Sequence, residues 1–294
     1  MKSNIIGAAS AGSPEPVSLP PPQPGAAVGR FYDALWQDGP SPGALAHGAA
    51  HIGQECLLSA SEILALAQIA EIGPDTYVLD LGSGCGGPAC YLAQQRGCRV
   101  LGLDLSGLGH ARALARAAAQ GLSQVVEFRQ GDVHSLELPA ASVDVILGLD
   151  AWCHIPQRTV MLQRCATWLR PGGRLAFYDQ VERHPLLPHE RALLCAQWHF
   201  PDLETPRSYI AAIKAAGLEV DFEVETSWNA RRFYTALLEA WQHQRALLTS
   251  LHGPERYQTS LTRFDMMQRL ADLGMIGQFG CIALKPSPRP RTRG

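Results

Sequence analysis

The sequence shows no broad excess of charge of either sign. Its 25 Lys plus Arg stand against 27 Asp plus Glu, a formal net charge of −2. It therefore carries no basic field to neutralise a phosphate backbone, and nucleic acid is not expected as a partner. Long apolar runs are missing too. Nowhere do about 18 consecutive apolar residues occur, so no membrane partner is expected. The N-terminus has one early Lys but no apolar stretch of the kind an export signal needs. The eight cysteines, at positions 56, 85, 90, 98, 153, 165, 195 and 281, form no C-x-x-C pair and no zinc-like arrangement with nearby His. That pattern predicts reduced, mostly buried thiols, no metal, and a cytoplasmic location.

What is present is the balance of a compact globular chain, 46% apolar and 18% charged over 294 residues, long enough for a sizeable core. Residues 1–28 carry Pro14, Pro16, Pro20, Pro21, Pro22 and Pro24 among Gly, Ala and Ser, and read as a disordered Pro-rich leader. The ordered domain is expected over 29–285. Residues 286–294 read as a flexible tail, whose basic run Pro288 to Arg293 is taken as a solvated end.

Within the domain, Ser61 to Ala70 has helical apolar spacing after Ser59 and stops at Gly73-Pro74. Tyr77 to Leu81 is a short apolar run entering a Gly-rich turn, the mark of a central parallel strand. Strands at Arg99–Leu103, Val125–Gln130, Val143–Leu149 and Arg174–Asp179 then alternate with helices at Gly109–Gln120 and Thr159–Leu169, the latter ended by Arg170-Pro171-Gly172-Gly173. Such alternation means an α/β fold with a doubly wound, mostly parallel sheet. Beyond Asp179 the pattern lapses. It resumes with a helix at Ser208–Ala216, a strand at Glu219–Thr226, helical stretches across Phe233–Leu251 and a last strand near Gly280–Leu284. The final two strands read as an antiparallel hairpin whose enlarged connection forms a helical cap at about 229–275.

Asp80-Leu81-Gly82-Ser83-Gly84-Cys85-Gly86-Gly87 follows the first strand and opens a helix, so backbone NH groups there can face a ligand with no Cβ in the way. It also satisfies G-x-G-x-x-G, which makes a nicotinamide-dependent oxidoreductase an alternative. Asp80 discriminates between the two. Two positions before the first glycine, its carboxylate would oppose a pyrophosphate electrostatically, whereas it would favour the ammonium of S-adenosylmethionine, whose own carboxylate can take the loop NH groups. Asp104, 22 positions after Gly82, suits either cofactor by accepting ribose hydroxyls. Asp132, in Gly131-Asp132-Val133, is placed to accept an adenine amino group. For both, the other reading is a turn-capping carboxylate.

The ordered set Val78 to Ala89, Leu103-Asp104-Leu105-Ser106, Gly131-Asp132 and Leu169 to Leu175 resembles the class I S-adenosylmethionine-dependent methyltransferase superfamily over roughly Ser59 to Leu284. Through His51-Ile52-Gly53 and Gly86-Gly87-Pro88 the chain looks most like its small-molecule enzymes of the sarcosine/dimethylglycine and ubiquinone-biosynthesis type. The resemblance implies a Rossmann-like seven-stranded sheet with a terminal antiparallel strand, and N-terminal helices that hold a small-molecule acceptor together with the cap. It also implies a cofactor site with Asp80, Gly82 and Gly84 at the methionine part, Asp104 and Leu105 at the ribose and adenine, Asp132 and Val133 at the adenine, and Leu149 near the sulfonium.

By similarity to sugar O-methyltransferases, His154 before Ile155-Pro156 and Asp179 at the end of the fifth strand are the catalytic candidates; the alternative is a backbone-bonding His and a strand-end turn residue. Tyr32, Trp152, Tyr178, Trp198, His199 and Trp228 are candidate acceptor-pocket aromatics, with core packing as the other reading of each. His47 and His51 are placed at the pocket entrance. Arg231, Arg232 and Arg245 of the cap are candidates for an anionic acceptor group, solvent exposure being the alternative. The expected activity is methylation of a small molecule, in specialised metabolism. N-, O- and C-acceptors, a homo-oligomer, and a non-catalytic cofactor-binding protein of this fold all stay open at this point.

Overall fold

The computed structural model describes residues 25–287. Helix α1 (Ala26–Trp36) begins inside the stretch assigned to the leader, and its Gly29 and Trp36 are buried. Ala26 and Ala27 supply the helix propensity that the preceding prolines lack. Residues 1–24 and 288–294, with the rest of the leader and the basic run, lie outside the described residues. Helix α2 (Pro42–His47) is capped by Ser41, which accepts from the Ala44 amide. A Ser59/Glu62 capping box then opens α3 (Ala60–Ile69).

The expected alternation follows: β1 (Tyr77–Leu81), α4 (Gly87–Arg96), β2 (Arg99–Asp104), α5 (Gly107–Ala119), β3 (Val126–Gln130), β4 (Val143–Leu149), α6 (Arg158–Trp168) and β5 (Leu169–Glu182). The fifth strand is longer than its apolar run. It includes Arg170-Pro171-Gly172-Gly173, expected as a helix stop, and continues past Asp179 to Glu182. Helix α7 (Pro188–Trp198) fills the segment without alternation, and α8 (Pro206–Ala215) leads to β6 (Glu219–Glu225). The cap is α9 (Trp228–His243), α10 (Arg245–His252) and α11 (Pro254–Asp272). The last strand, β7 (Ile276–Leu284), starts before Gly280 because it pairs with β5 as far as its end, from Arg174↔Leu284 to Glu182↔Ile276.

The seven strands run in the order β3-β2-β1-β4-β5-β7-β6, parallel except that β7 is antiparallel to both neighbours. Alternation within each strand feeds two cores. Val78, Val100 and Val145 face Ile63 and Leu66 of α3 and Leu92 of α4. Leu79, Leu101 and Ile146 face Met161 and Leu162 of α6 and Ile213 of α8. A third core joins Leu237 and Trp241 of α9 and Phe264 of α11 to Trp198 of α7 and Leu45 of α2, so the cap packs as part of the domain. The winding direction reverses between β1 and β4, and the carboxyl ends of these two strands bound the crevice where an open parallel sheet holds a ligand.

Candidate active site

The loop after β1 touches the loop after β4. Gly82 has φ 87°, and a Cβ on it would lie 2.3 Å from the Ala151 Cβ, so both its backbone shape and its surroundings require glycine. Loop amides expected to face a ligand carboxylate are used otherwise. Those of Gly82 and Ser83 donate to the Leu103 carbonyl at 2.8 and 3.1 Å, and that of Gly84 to Asp104 Oδ2 at 2.8 Å, pinning the loop to the end of β2. Asp104 Oδ1 accepts from the Ser106 amide at 2.8 Å. Burial raises the Asp104 pKa, and these two amides counter it.

Asp80 is 2% exposed, and its Oδ2 has no partner among the described residues. Burial, with a smaller contribution from the Asp104 charge, pushes its carboxyl up to about 7. A buried acid without a donor is costly unless something completes it. It faces a cavity that all eight sequence-expected cofactor residues line: Asp80, Gly82 and Gly84 from β1 and its loop, Asp104 and Leu105 from β2, Asp132 and Val133 after β3, and Leu149 from β4.

Helix α1 covers this cavity. Asp33 accepts from the Leu108 amide at 3.0 Å and from the Ser106 hydroxyl, fastening α1 across the start of α5. A Cβ at Gly29 would lie 2.8 Å from the Leu105 carbonyl oxygen, so the helix rests directly on the β2–α5 connection. Tyr32 and Trp36 thereby face the cavity.

A second cavity adjoins the first and shares Tyr32, Glu55, Asp150 and His154 with it; Trp198, Phe200, Phe233 and Tyr234 form its aromatic walls. His154 Nε2 lies 2.8 Å from Tyr32 Oη, while its buried Nδ1 has no hydrogen-bond partner among the described residues. Burial pulls the imidazole down to about 3, so it is neutral at physiological pH. Asp150, not singled out from the sequence, stands at φ 52° just past β4. Its Oδ2 accepts from the Leu57 amide and Gln278 Nε2, both at 2.8 Å, while burial pushes its carboxyl up to about 7. Glu55 accepts from the Gly43 amide at 2.8 Å and from the Ser41 hydroxyl.

Several expected site residues lie elsewhere. Asp179 is fully buried and lines neither cavity; Cys153 N and Tyr209 Oη donate to it at 3.0 and 2.5 Å, so it braces the β4 loop against α8 and is not placed as a base. Trp152 stacks on Phe177 at 4.7 Å, in the space that Gly148 leaves by lacking a Cβ. Tyr178 packs over Gly280 on the α3 face of the sheet, because β5 alternates. His199 meets Phe31 edge-on at 5.1 Å and lines neither cavity. Trp228 is 49% exposed under the Arg232 guanidinium. Only Tyr32 and Trp198 of the six aromatics line the second cavity.

His47 and His51 bond the Cys56 and Gln54 carbonyls and line neither cavity. Arg231, Arg232 and Arg245 are exposed, and Arg232 is taken by Glu62 and the Leu57 carbonyl. No cluster of His, Cys, Asp and Glu able to hold a metal occurs among the described residues. Seven of the eight free cysteines are buried.

Residues 79–177, which span β1 through most of β5, match the family described as a methyltransferase domain. The chain thus carries a methyltransferase domain. Among curated relatives, the glycine/sarcosine/dimethylglycine N-methyltransferase of Actinopolyspora halophila is 29% identical over 213 residues, which cover 70% of this chain and 38% of that protein. The 27-O-demethylrifamycin SV methyltransferase of Amycolatopsis mediterranei is 28% identical over 212 residues, 68% of this chain and 74% of the relative. The chain spans less than two thirds of the length of the curated relatives it matches first, 38%, 56% and 59%. The cyclase SpnF shares the fold, with a TM-score of 0.74 at 19% identity over 90% of this chain and 97% of its own.

The cofactor of such a domain is S-adenosylmethionine, and the residues present fit it. Among the described residues, Asp80 Oδ2 is buried without a donor, the Gly82 turn leaves room where a Cβ would collide, and the lining includes no Lys or Arg to attract a phosphate.

Proposed function

We propose that the domain running from α1 to β7 transfers a methyl group from S-adenosylmethionine to a small-molecule acceptor. The charge of the double cavity carries this reading. Glu55, Asp80, Asp104, Asp132 and Asp150 line it, and among the described residues no Lys or Arg does. Such a lining favours a ligand with a sulfonium and an ammonium and opposes the diphosphate of a nicotinamide dinucleotide.

When bound, S-adenosylmethionine supplies an activated methyl carbon for in-line displacement. Asp80 takes the ammonium, which completes its unpartnered Oδ2. Asp104 keeps a lone pair on each oxygen for the ribose hydroxyls, because each oxygen accepts one protein amide. Asp132, whose Oδ1 already accepts from the His134 amide at 2.8 Å, takes the adenine amino group between Leu105 and Val133. Leu149 and α1 exclude water from the methionine end.

The acceptor lies in the second cavity with its nucleophile at the Tyr32–His154 pair. For a hydroxyl acceptor, Tyr32 Oη orients the oxygen and His154 receives the proton. A pKa near 3 is no obstacle, because an alcohol oxygen that has just gained a methyl is a far stronger acid than imidazolium. Most of the rate comes from holding donor and acceptor in contact.

We assign the enzyme to the cytoplasm, on the eight free thiols, and to specialised metabolism, on its similarity to the rifamycin relative. Whether it works as a homo-oligomer is read from sedimentation. Calorimetry with S-adenosylmethionine, S-adenosylhomocysteine and NAD tests the cofactor, and formation of S-adenosylhomocysteine with a panel of phenols, alcohols and amines tests turnover. Binding of NAD without binding of S-adenosylhomocysteine overturns the proposal.

A further inference from the structure

The second cavity has an electrical character of its own. Its walls are apolar and aromatic: Trp198 and Phe200 stack with centroids 6.2 Å apart, and Phe233 meets Tyr234 edge-on at 5.5 Å. Its two carboxylates, Glu55 and Asp150, already accept protein donors, and its histidine is neutral. The basic side chains around it are engaged elsewhere. Arg263 lies over the Trp198 and Phe31 rings at 5.8 and 5.0 Å without lining the cavity. Arg158 is turned to the Trp152 and Ile155 carbonyls and to Glu204, and Arg232 to Leu57 and Glu62.

An acceptor bearing a carboxylate or phosphate would enter this space with no cation to meet it and two acidic groups nearby. Burying an anion under those conditions is strongly unfavourable. A ring or hydrocarbon body, by contrast, replaces water against the aromatic walls at a gain of about 25 cal/mol per Å² of apolar surface. Resting on the methyl-transfer reading, we infer that the acceptor has a largely apolar body, carries no anionic group, and presents one neutral nucleophile to Tyr32 and His154. This sets the chain apart from any relative whose acceptor carries a carboxylate or a phosphate.

The test uses the full chain loaded with S-adenosylhomocysteine and two probes of one shape, 1-naphthol and 1-naphthoate, measured by calorimetry at pH 7.5. Naphthol is expected to bind at least about tenfold more tightly, the size of a modest electrostatic penalty. Sarcosine and phosphoethanolamine are expected to give no turnover. In Leu35→Arg, which puts a cation into the half-buried wall at α1, naphthoate is expected to gain about tenfold. Naphthoate binding as tightly as naphthol in the wild type, or turnover of sarcosine or phosphoethanolamine, overturns the inference. The wild-type comparison decides the matter alone should the variant not fold. Failure of S-adenosylhomocysteine itself to bind is a separate result, and strikes the methyl-transfer reading instead.

Discussion

Tyr32 Oη and His154 Nε2 stand 2.8 Å apart although 122 positions separate them in the chain. The contact joins the helix that covers the cofactor cavity to the loop that follows β4, at the place where the two cavities meet. It makes the covering helix part of the reacting end and gives the neutral imidazole its one hydrogen bond.

His154→Asn is expected to lower kcat by about 100-fold or more for a hydroxyl acceptor, the usual scale for loss of a positioned acid–base group. Tyr32→Phe, which keeps the ring and removes the hydroxyl, is expected to cost less, about tenfold. Steady-state kinetics check both. An unchanged kcat in His154→Asn would remove the imidazole from the mechanism.

Cofactor affinity is expected to depend on pH through Asp80. Its carboxyl titrates at about 7 in the empty site, and an ammonium ligand favours the charged form. S-adenosylhomocysteine should therefore bind more tightly as pH rises from 6 to 8, and in Asp80→Asn it should bind weakly with a flatter profile. Calorimetry across that range is the check, and an equally steep profile in the variant would contradict it.

The same group opposes folding of the free protein at high pH. Its folded value lies above the ~3.9 of an unfolded Asp, so the native state holds more protons between about pH 4 and 7, and stability falls as pH rises through that window. Asp80→Asn is expected to gain stability over the wild type at pH 8 relative to pH 5 by on the order of 2–3 kcal/mol. Denaturant unfolding at the two pH values measures it.

Gly82→Ala is expected to lose cofactor binding. The new methyl would meet Ala151 at 2.3 Å, and φ 87° is poorly suited to any other residue. The combined strain is about 2–4 kcal/mol, visible as a lower Tm together with a weakened S-adenosylhomocysteine isotherm.

Asp179→Asn is expected to behave as a stability variant. Because Asp179 accepts from Cys153 and Tyr209 and lines neither cavity, the change should lower Tm by the equivalent of about 1–3 kcal/mol and leave the pH dependence of kcat in place. A shifted kcat–pH profile at unchanged Tm would return Asp179 to the list of bases.

The proposed cofactor half of the site was legible because its residues are fixed by local sequence. Asp80, Gly82, Asp104 and Asp132 each sit at a strand end followed by a turn, and a parallel sheet brings strand ends together. The acceptor half was not. Phe200, Phe233, Tyr234 and Gln180 carry no spacing that marks them, and they meet only when α9 packs beside α7 and the end of β5. Trp152 and Tyr178 misled for the opposite reason: next to the site in sequence, they are turned into the cores by the room at Gly148 and by strand alternation. Asp150 had one local sign, its place directly after β4, but its φ of 52° and its bond to Gln278 arise only in the folded chain.

By itself, then, the order of residues determined the alternating strands and helices, the glycine turn, and the acidic strand ends that suit a cationic nucleoside ligand, since each depends on neighbours within a few positions. Packing alone decided that α1 lies over Leu105, that Tyr32 reaches His154, that Asp179 is tied off, and that no Lys or Arg among the described residues lines the proposed acceptor cavity. Those outcomes depend on which side chains fill shared space across distant segments, and periodicity along a chain does not encode that.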